Sequence, residues 1–469
     1  MALIQTVKNK SFDWVTLTVF FSLVAIGWAM LYSTTYNPDQ PFAFMSISTI
    51  IGSQTAWLII SMLAFISVLT LDWKFWNTLA FPFYGISLLL LILVLIFGRE
   101  INGSKSWFSL GVLSFQPSEW AKLGTALAIS GYLSFLKTNI ADRKTLITSF
   151  GIIIAPALLI LLQPDPGSAL VFFSFFILLY RKGLSPLVFI LGFSFAGAFI
   201  FSLIFSPVIV TSIILCTVAS VFLFYYFDST RGLFGTFLLI ATEIFLYLQG
   251  EVYSLIVCPL AVALVFGVMH FLKKNFRLIG LSIPIAATFI AFSFGSSYVF
   301  ENALKPHQQD RINVWLRPEK CDPRGSLYNI IQSKLAIGSG GLAGKGYLKG
   351  EMTKLNYVPE QTTDFIFTSV GEEQGFIGSV GVILLYTILL LRCVTIAERA
   401  KLEFIRNYAY CVLGIILVHF TINIGMTLGI MPVIGIPLPF LSKGGSSLLA
   451  FSVMIGILVK MDMARFRAN

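Results

Sequence analysis

The chain has 469 residues, 57% hydrophobic and only 12% charged, with 45 Phe and a mean hydropathy of +0.87. Soluble domains carry roughly 25% charged residues, and no soluble fold of this size hides so much apolar surface. A soluble enzyme, a disordered chain and a disulfide scaffold are excluded, which leaves an all-α, polytopic integral membrane bundle.

Lys8 and Lys10 precede an apolar run that extends to about Tyr32 without a small-residue cleavage site, so it reads as an uncleaved first helix. Further apolar stretches lie near 50–71, 76–97, 117–136, 146–163, 168–181, 186–205, 207–227, 235–248, 252–271, 279–299, 366–392, 408–430 and 444–462, so the reading predicts fourteen membrane segments. With the N-terminus in the cytoplasm, most of the 32 Lys and Arg fall on the inner side, both termini are cytoplasmic and residues 300–365 lie outside. That loop holds nine Lys or Arg and seven Asp or Glu. Its Ile330, Ile331, Leu335 and Ile337 predict a short helix leaning on the membrane surface. Five Cys, with no C-x-x-C and no Cys/His cluster, give neither a disulfide framework nor a zinc site.

Polar residues concentrate near the predicted outer ends of the helices, where each needs a reason. A polar loop from Gly98 to Trp107 leads through Phe115–Gln116–Pro117–Ser118–Glu119 into a helix whose Glu119 and Lys122 share a face. They form either a structural ion pair or a wall of a polar cavity. Asp165, between Pro164 and Pro166, either caps the next helix or serves the site. The long loop adds Arg317, Glu319, Lys320, Asp322, Arg324, Lys334 and the glycine run Gly338 to Gly346 around Lys345, then Glu360 to Asp364 and Gly371–Glu372–Glu373. Glycine-rich backbone beside cations is able to cradle phosphate. Met431 to Ser447, with three prolines, cannot continue a regular helix and must be buried in protein or line a cavity.

Four separated blocks, Trp107 to Lys122, Gln163 to Asp165, Asp322 to Gly346 and Pro359 to Gly375, resemble the SEDS family (shape, elongation, division and sporulation) of membrane glycosyltransferases. The Gly-Ile-Pro-Leu-Pro-Phe of 435–440 is similar to the rod-shape branch of that family. The resemblance implies ten core helices, with 1–181 as the N-terminal part of the core, 182–278 as inserted helices and 279–469 as the C-terminal part. Pro166 and Lys443 depart from the family pattern, which puts the turn and the local substrate contacts in question.

The resemblance implies polymerisation of lipid II at the outer face of the cytoplasmic membrane during elongation, with release of undecaprenyl pyrophosphate. It implies Asp322 as the base and Glu119, Lys122, Asp165, Arg317, Arg324, Lys334, Lys345 and Glu360 as substrate contacts. Asp322 also reads as a turn residue before Pro323. The expected partners are a class B penicillin-binding transpeptidase, other elongation-complex membrane proteins and membrane lipid, with no nucleic acid. A divalent cation, Mg or Mn, suits a pyrophosphate, but no ligand set is legible. A lipid II flippase or a scaffold of the elongation machinery are the competing readings.

Overall fold

The computed structural model describes residues 12–464 apart from 40–41, 102, 111–112, 136–139, 141, 228, 251–253, 275, 305 and 323–324. In chain order, α1 (Trp14–Thr34), α2 (Ile50–Thr70), the short α3 (Trp73–Thr78) and α4 (Ala80–Phe97) lead into strands β1 (Arg99–Ile101), β2 (Ser104–Leu110) and β3 (Leu113–Phe115). There follow α5 (Pro117–Phe135), α6 (Arg143–Leu161), α7 (Pro166–Leu170), a 3₁₀ turn over Val171–Phe175 and α8 (Phe176–Arg181). Next come α9 (Pro186–Ile204), α10 (Pro207–Tyr226), α11 (Ser229–Leu248), α12 (Ser254–Leu272), α13 (Phe276–Asn302) and α14 (Pro306–Leu316). The chain continues with α15 (Ser326–Ser339), α16 (Glu351–Lys354), α17 (Ile366–Arg399), α18 (Glu403–Thr427) and α19 (Gly445–Met463).

Among the described residues twelve helices are long and apolar enough to cross a membrane. They match twelve of the fourteen predicted segments. The other two are α5, which carries Glu119 and Lys122 in its first turns, and the 166–181 stretch, which is helical but broken by the 3₁₀ turn. The helix starts follow local chemistry. Asp13 accepts from the Thr16 amide at 3.2 Å and Thr49 from the Gly52 amide at 3.0 Å. Pro117, Pro186 and Pro207 each open a helix, where the missing amide costs nothing.

The polar loop predicted after residue 98 is instead a small antiparallel sheet, ordered β1-β2-β3, with Ile101 opposite Ser104 and Leu110 opposite Leu113. Its first turn passes through Gly103 at φ +80°, a left-handed conformation that glycine adopts without strain. The apolar residues of the 300–365 loop do lie on a helix, α15, and α14 and the short α16 add two more within the loop.

The chain divides into two compact units: Met1–Leu184 with Asp322–Asn469, and Ser185–Cys321. In the first, α18 and α19 run through the middle, and α19 packs closely on α2. A side chain at Gly445 would stand 2.0 Å from the Trp57 indole, so the absence of one sets how near the two helices come. At the end of this unit that carries Asp13, Arg392 and Arg399 reach that carboxylate at 2.7 and 2.9 Å, and Arg399 also reaches Asp462 at 2.5 Å. These pairs tie the start of α1 to the ends of α17 and α19. Burial pushes the Asp13 carboxyl up, but its bonds from Arg392 and Thr16 outweigh this and leave it below the usual carboxylate value.

In the second unit α10 packs between α12, α11 and α13. Its polar contacts include Ser202 with Ser296 at 2.7 Å, Ser212 donating to Glu243 at 2.7 Å, and His270 on the Phe222 carbonyl at 2.9 Å.

Candidate functional site

The polar motifs converge at the end of the first unit opposite Asp13. The ribbon brings two of them together. Ser104 donates to the Gln163 carbonyl at 2.8 Å, and the Gln116 amide side chain donates to Asp165 Oδ2 at 3.3 Å. The other Asp165 oxygen accepts from the Ser168 amide at 3.0 Å. Asp165 therefore caps α7, as one of its two readings expected, and holds the turn before α5 at the same time.

Pro117 directs the first turns of α5 inward, and both charges end in the interior. Lys122 Nζ donates to Glu119 Oε1 at 2.7 Å, and neither side chain reaches solvent. The expected pairing on one helix face is present. The ammonium also lies 2.9 Å from His419 Nε2 on α18 and 5.5 Å from the centre of the Phe451 ring. Among the described residues, Glu119 Oε2 meets no hydrogen-bond partner.

The glycine run packs against a broken helix. Helix α17 breaks at Gly375, where φ is +63°, and the 340–346 loop docks on the break. Phe376 N donates to Gly341 O at 2.9 Å, Ile377 N to Leu342 O at 3.1 Å, Lys345 N to Glu372 O at 3.1 Å and Gly346 N to Glu373 O at 2.9 Å. Two of the loop's amides, those of Lys345 and Gly346, and two of its carbonyls, those of Gly341 and Leu342, are thus engaged by the broken helix. The glycines are needed for close approach: a Cβ on Gly375 would lie 2.3 Å from Gly344 N, and one on Gly340 would lie 2.0 Å from Gly371 O.

Lys345 pairs with Glu372 at 2.8 Å, and Glu372 also accepts from the amides of Met352 and Thr353 at 2.9 and 2.8 Å. One buried carboxylate therefore fixes the loop and the start of α16. Its neighbour Glu373 accepts from Ser33 on α1. Tyr347 donates to the Ala29 carbonyl at 3.0 Å, and burial raises its phenol above the ordinary value.

The proline-rich segment is irregular, and its backbone is satisfied by side chains. Asn423 donates to Ile436 O at 2.7 Å and to Asp364 O at 2.8 Å. His419 meets Pro437 O at 2.9 Å, and Tyr386 donates to Pro439 O. The Lys443 amide donates to Thr362 O at 2.8 Å, so the segment also rests on the turn after Glu360. Buried backbone without such partners costs several kcal/mol in hydrocarbon.

Asp322 is exposed and sits just before α15, with its carbonyl accepting from the Gly325 amide at 3.0 Å. Helix α15 is anchored to the same end of the unit. Ser333 donates to Thr427 O at 2.9 Å and contacts Thr368 at 2.7 Å. Lys334 crosses over Gly429, whose φ is +72° and whose Cβ, if present, would stand 2.4 Å from Lys334 Cε. Glu360 is exposed and accepts from Thr363 at 3.0 Å. Arg317 belongs to the second unit, where it donates to Ile204 O at 3.2 Å, and Arg324 lies outside the described residues. All five cysteines are free. Among the described residues no three His, Cys, Asp or Glu side chains come together to hold a metal ion.

The sequence reading did not single out His419 and Asn423. The available signal was a His and an Asn four residues apart within an apolar span, which places two costly polar groups on one helix face.

A family model described as "Cell cycle protein", covering FtsW, RodA and SpoVE, matches residues 13–218 and 230–466. Peptidoglycan glycosyltransferase RodA of Treponema pallidum is 33% identical over 97% of this chain and 98% of its own length. Peptidoglycan glycosyltransferase MrdB of Escherichia coli K12 is 30% identical over 81% of this chain and 77% of its own length. A chain solved in a study of polymerization and crosslinking by a peptidoglycan synthase complex is 28% identical, with a TM-score of 0.60 over 97% of this chain and 99% of that one. The crystal structure of Thermus thermophilus RodA is 25% identical, with a TM-score of 0.56 over 97% and 98%.

Proposed function

The chain belongs to the FtsW/RodA/SpoVE family of multi-span bacterial membrane proteins, and from that premise we propose that it is a peptidoglycan glycosyltransferase that polymerises lipid II. The observation that carries the reading is the gathering of four separated motif blocks at one end of one helical unit, with the exposed carboxylate of Asp322 at the head of α15.

The chemistry is one displacement. Asp322 takes the proton from the attacking sugar hydroxyl as its oxygen bonds to the anomeric carbon of the neighbouring lipid-linked sugar. The bond from that carbon to the diphosphate oxygen breaks, and undecaprenyl pyrophosphate leaves with the electron pair. Inversion at one centre needs a single base and no covalent intermediate. Lys334, on the helix that follows Asp322, stabilises the negative charge gathering on the leaving group. Glu119 and Lys122 work from beneath, since both are buried, and Lys345 is engaged by Glu372. The polyprenyl tail lies against apolar helices in the bilayer.

The end carrying Asp13 faces the cytoplasm and the motif end faces outward. Arg181, Lys182, Arg392 and Arg399 all belong to the former, as the charge rule for inner loops expects. A class B penicillin-binding transpeptidase docks alongside and cross-links the strand during elongation.

The test is glycan polymerisation by the purified protein in lipid, with and without that transpeptidase. Wild type extends lipid II into glycan chains, and Asp322→Asn loses at least about 100-fold in rate, the scale of a missing general base. Normal extension by Asp322→Asn overturns the base assignment, and transport of labelled lipid II without chain growth overturns the enzyme reading. Cysteine labelling that places residues 340–365 on the cytoplasmic side overturns the orientation.

A further inference from the structure

Glu119, Lys122 and His419 form a buried polar chain that ends on the backbone of the proline-rich segment. Its hydrogen bonds fix the state of the histidine. A carbonyl oxygen only accepts, so the imidazole nitrogen 2.9 Å from Pro437 O, Nδ1, carries the proton. An ammonium only donates, so Nε2, 2.9 Å from Lys122 Nζ, presents its lone pair. The imidazole is neutral, and its two nitrogens are spoken for by different elements, α5 on one side and the 431–443 segment on the other. Phe451 meets the ring edge to face, with centroids 5.1 Å apart and planes at 90°.

One turn along the same face of α18, Asn423 donates to the adjacent carbonyl, Ile436 O, and to Asp364 O. Two side chains four residues apart therefore hold two consecutive carbonyls of an irregular segment, and one of them also holds the turn that follows Glu360. Pro437 has no amide and cannot be registered through a backbone N–H, so its carbonyl is the handle it offers.

We infer that His419 is a positioning residue: it transmits the location of the buried Glu119–Lys122 pair to Pro437 and so sets the proline-rich segment and the 360–364 turn in the register that the site requires. It does not touch substrate. The inference rests on the proposed polymerase reading for its kinetic consequence, but not for its structural one.

The experiment uses the full chain in lipid nanodiscs and three variants. His419→Phe keeps the ring against Phe451 and removes both hydrogen bonds. His419→Gln keeps one acceptor for Lys122 and one donor for Pro437. His419→Asn is too short to span both partners and serves if the phenylalanine variant does not fold. Amide exchange of residues 433–443 is expected to rise at least about tenfold in His419→Phe and His419→Asn, and to stay within about threefold of wild type in His419→Gln. Polymerisation is expected to follow the same order, with kcat falling about 30-fold or more in the first two and KM for lipid II changing less than about threefold, because misplacement and not binding is lost. Unchanged exchange in the segment, a kcat within about threefold of wild type, or an effect confined to KM overturns the inference. If wild type does not polymerise at all, the polymerase reading fails and the exchange data alone decide this one.

Discussion

The two units solve the same problem, a helical bundle in lipid, in different ways. In the first, the spanning windows of α18 and α19 are 72% and 83% buried by protein; in the second, those of α9 and α11 are 11% and 17% buried. Lipid covers what protein does not, and it is indifferent to which apolar side chain it meets, whereas a polar group in hydrocarbon has to find a protein partner. Glu119, Lys122, Asn407, His419 and Asn423 of this unit are each no more than 1% exposed; Glu119 pairs with Lys122 one turn along its own helix, and the other four reach a partner across a helix interface or in a neighbouring segment. In the spanning helices of the second unit, Glu243 is held by Ser212 and His270 by the Phe222 carbonyl. Burial by protein, more than membrane depth, marks where this chain can afford function.

The sharpest way to break that contrast is to remove one charge from each unit. Lys122→Met strands Glu119 in the interior and should cost about 3–5 kcal/mol, read as thermal unfolding in detergent, with much of it restored when Glu119→Gln is added. Glu243→Gln keeps an oxygen to accept from Ser212 and should cost less than about 1 kcal/mol. Equal losses in the two would show that the units are alike.

Backbone packing comes next. Gly375→Ala places a methyl group 2.3 Å from Gly344 N at a positive φ. It should destabilise the first unit by about 2–4 kcal/mol and free the 340–346 loop, visible as faster amide exchange there.

A smaller effect is expected from acid. The Asp13 carboxyl is held below its ordinary value of 3.8 when folded, so its contribution is complete above that pH and fades as pH falls through the lowered folded value. Arg392→Ala should shrink this acid sensitivity in unfolding measured from pH 6 to pH 3, leaving the profile flatter. A profile identical to wild type would remove Arg392 from the account. The smallest effect belongs to the lipid-facing surface of the second unit: Phe237→Leu, at a side chain 71% exposed, should move the unfolding free energy by less than about 0.5 kcal/mol.

The helices were legible in the sequence because transfer into hydrocarbon is summed over neighbouring residues. Runs of about twenty apolar side chains declare themselves locally, and so do the prolines that open α5, α9 and α10. The pairing of Glu119 with Lys122 was legible for the same reason, since three residues of helix put them on one face. The turn through Gly103 had a readable signal in its glycine, which the polarity of the stretch obscured. The second partner of Lys122, His419, in contrast, lies 297 residues away.

Nothing local says that the 340–346 loop docks on a broken helix through two amides and two carbonyls, or that Pro437 hangs from a histidine. Those assignments come from which surfaces can approach most closely once the helices are assembled, and from the requirement that each buried polar group meet one complement. The sequence by itself determined the solvent, the spans and the end where the polar motifs gather, because those follow from short-range free energies. Only the tertiary structure decided which carboxylate is exposed, which cation is already paired and which glycines serve packing, because contacts between distant segments carry no signature in either segment alone.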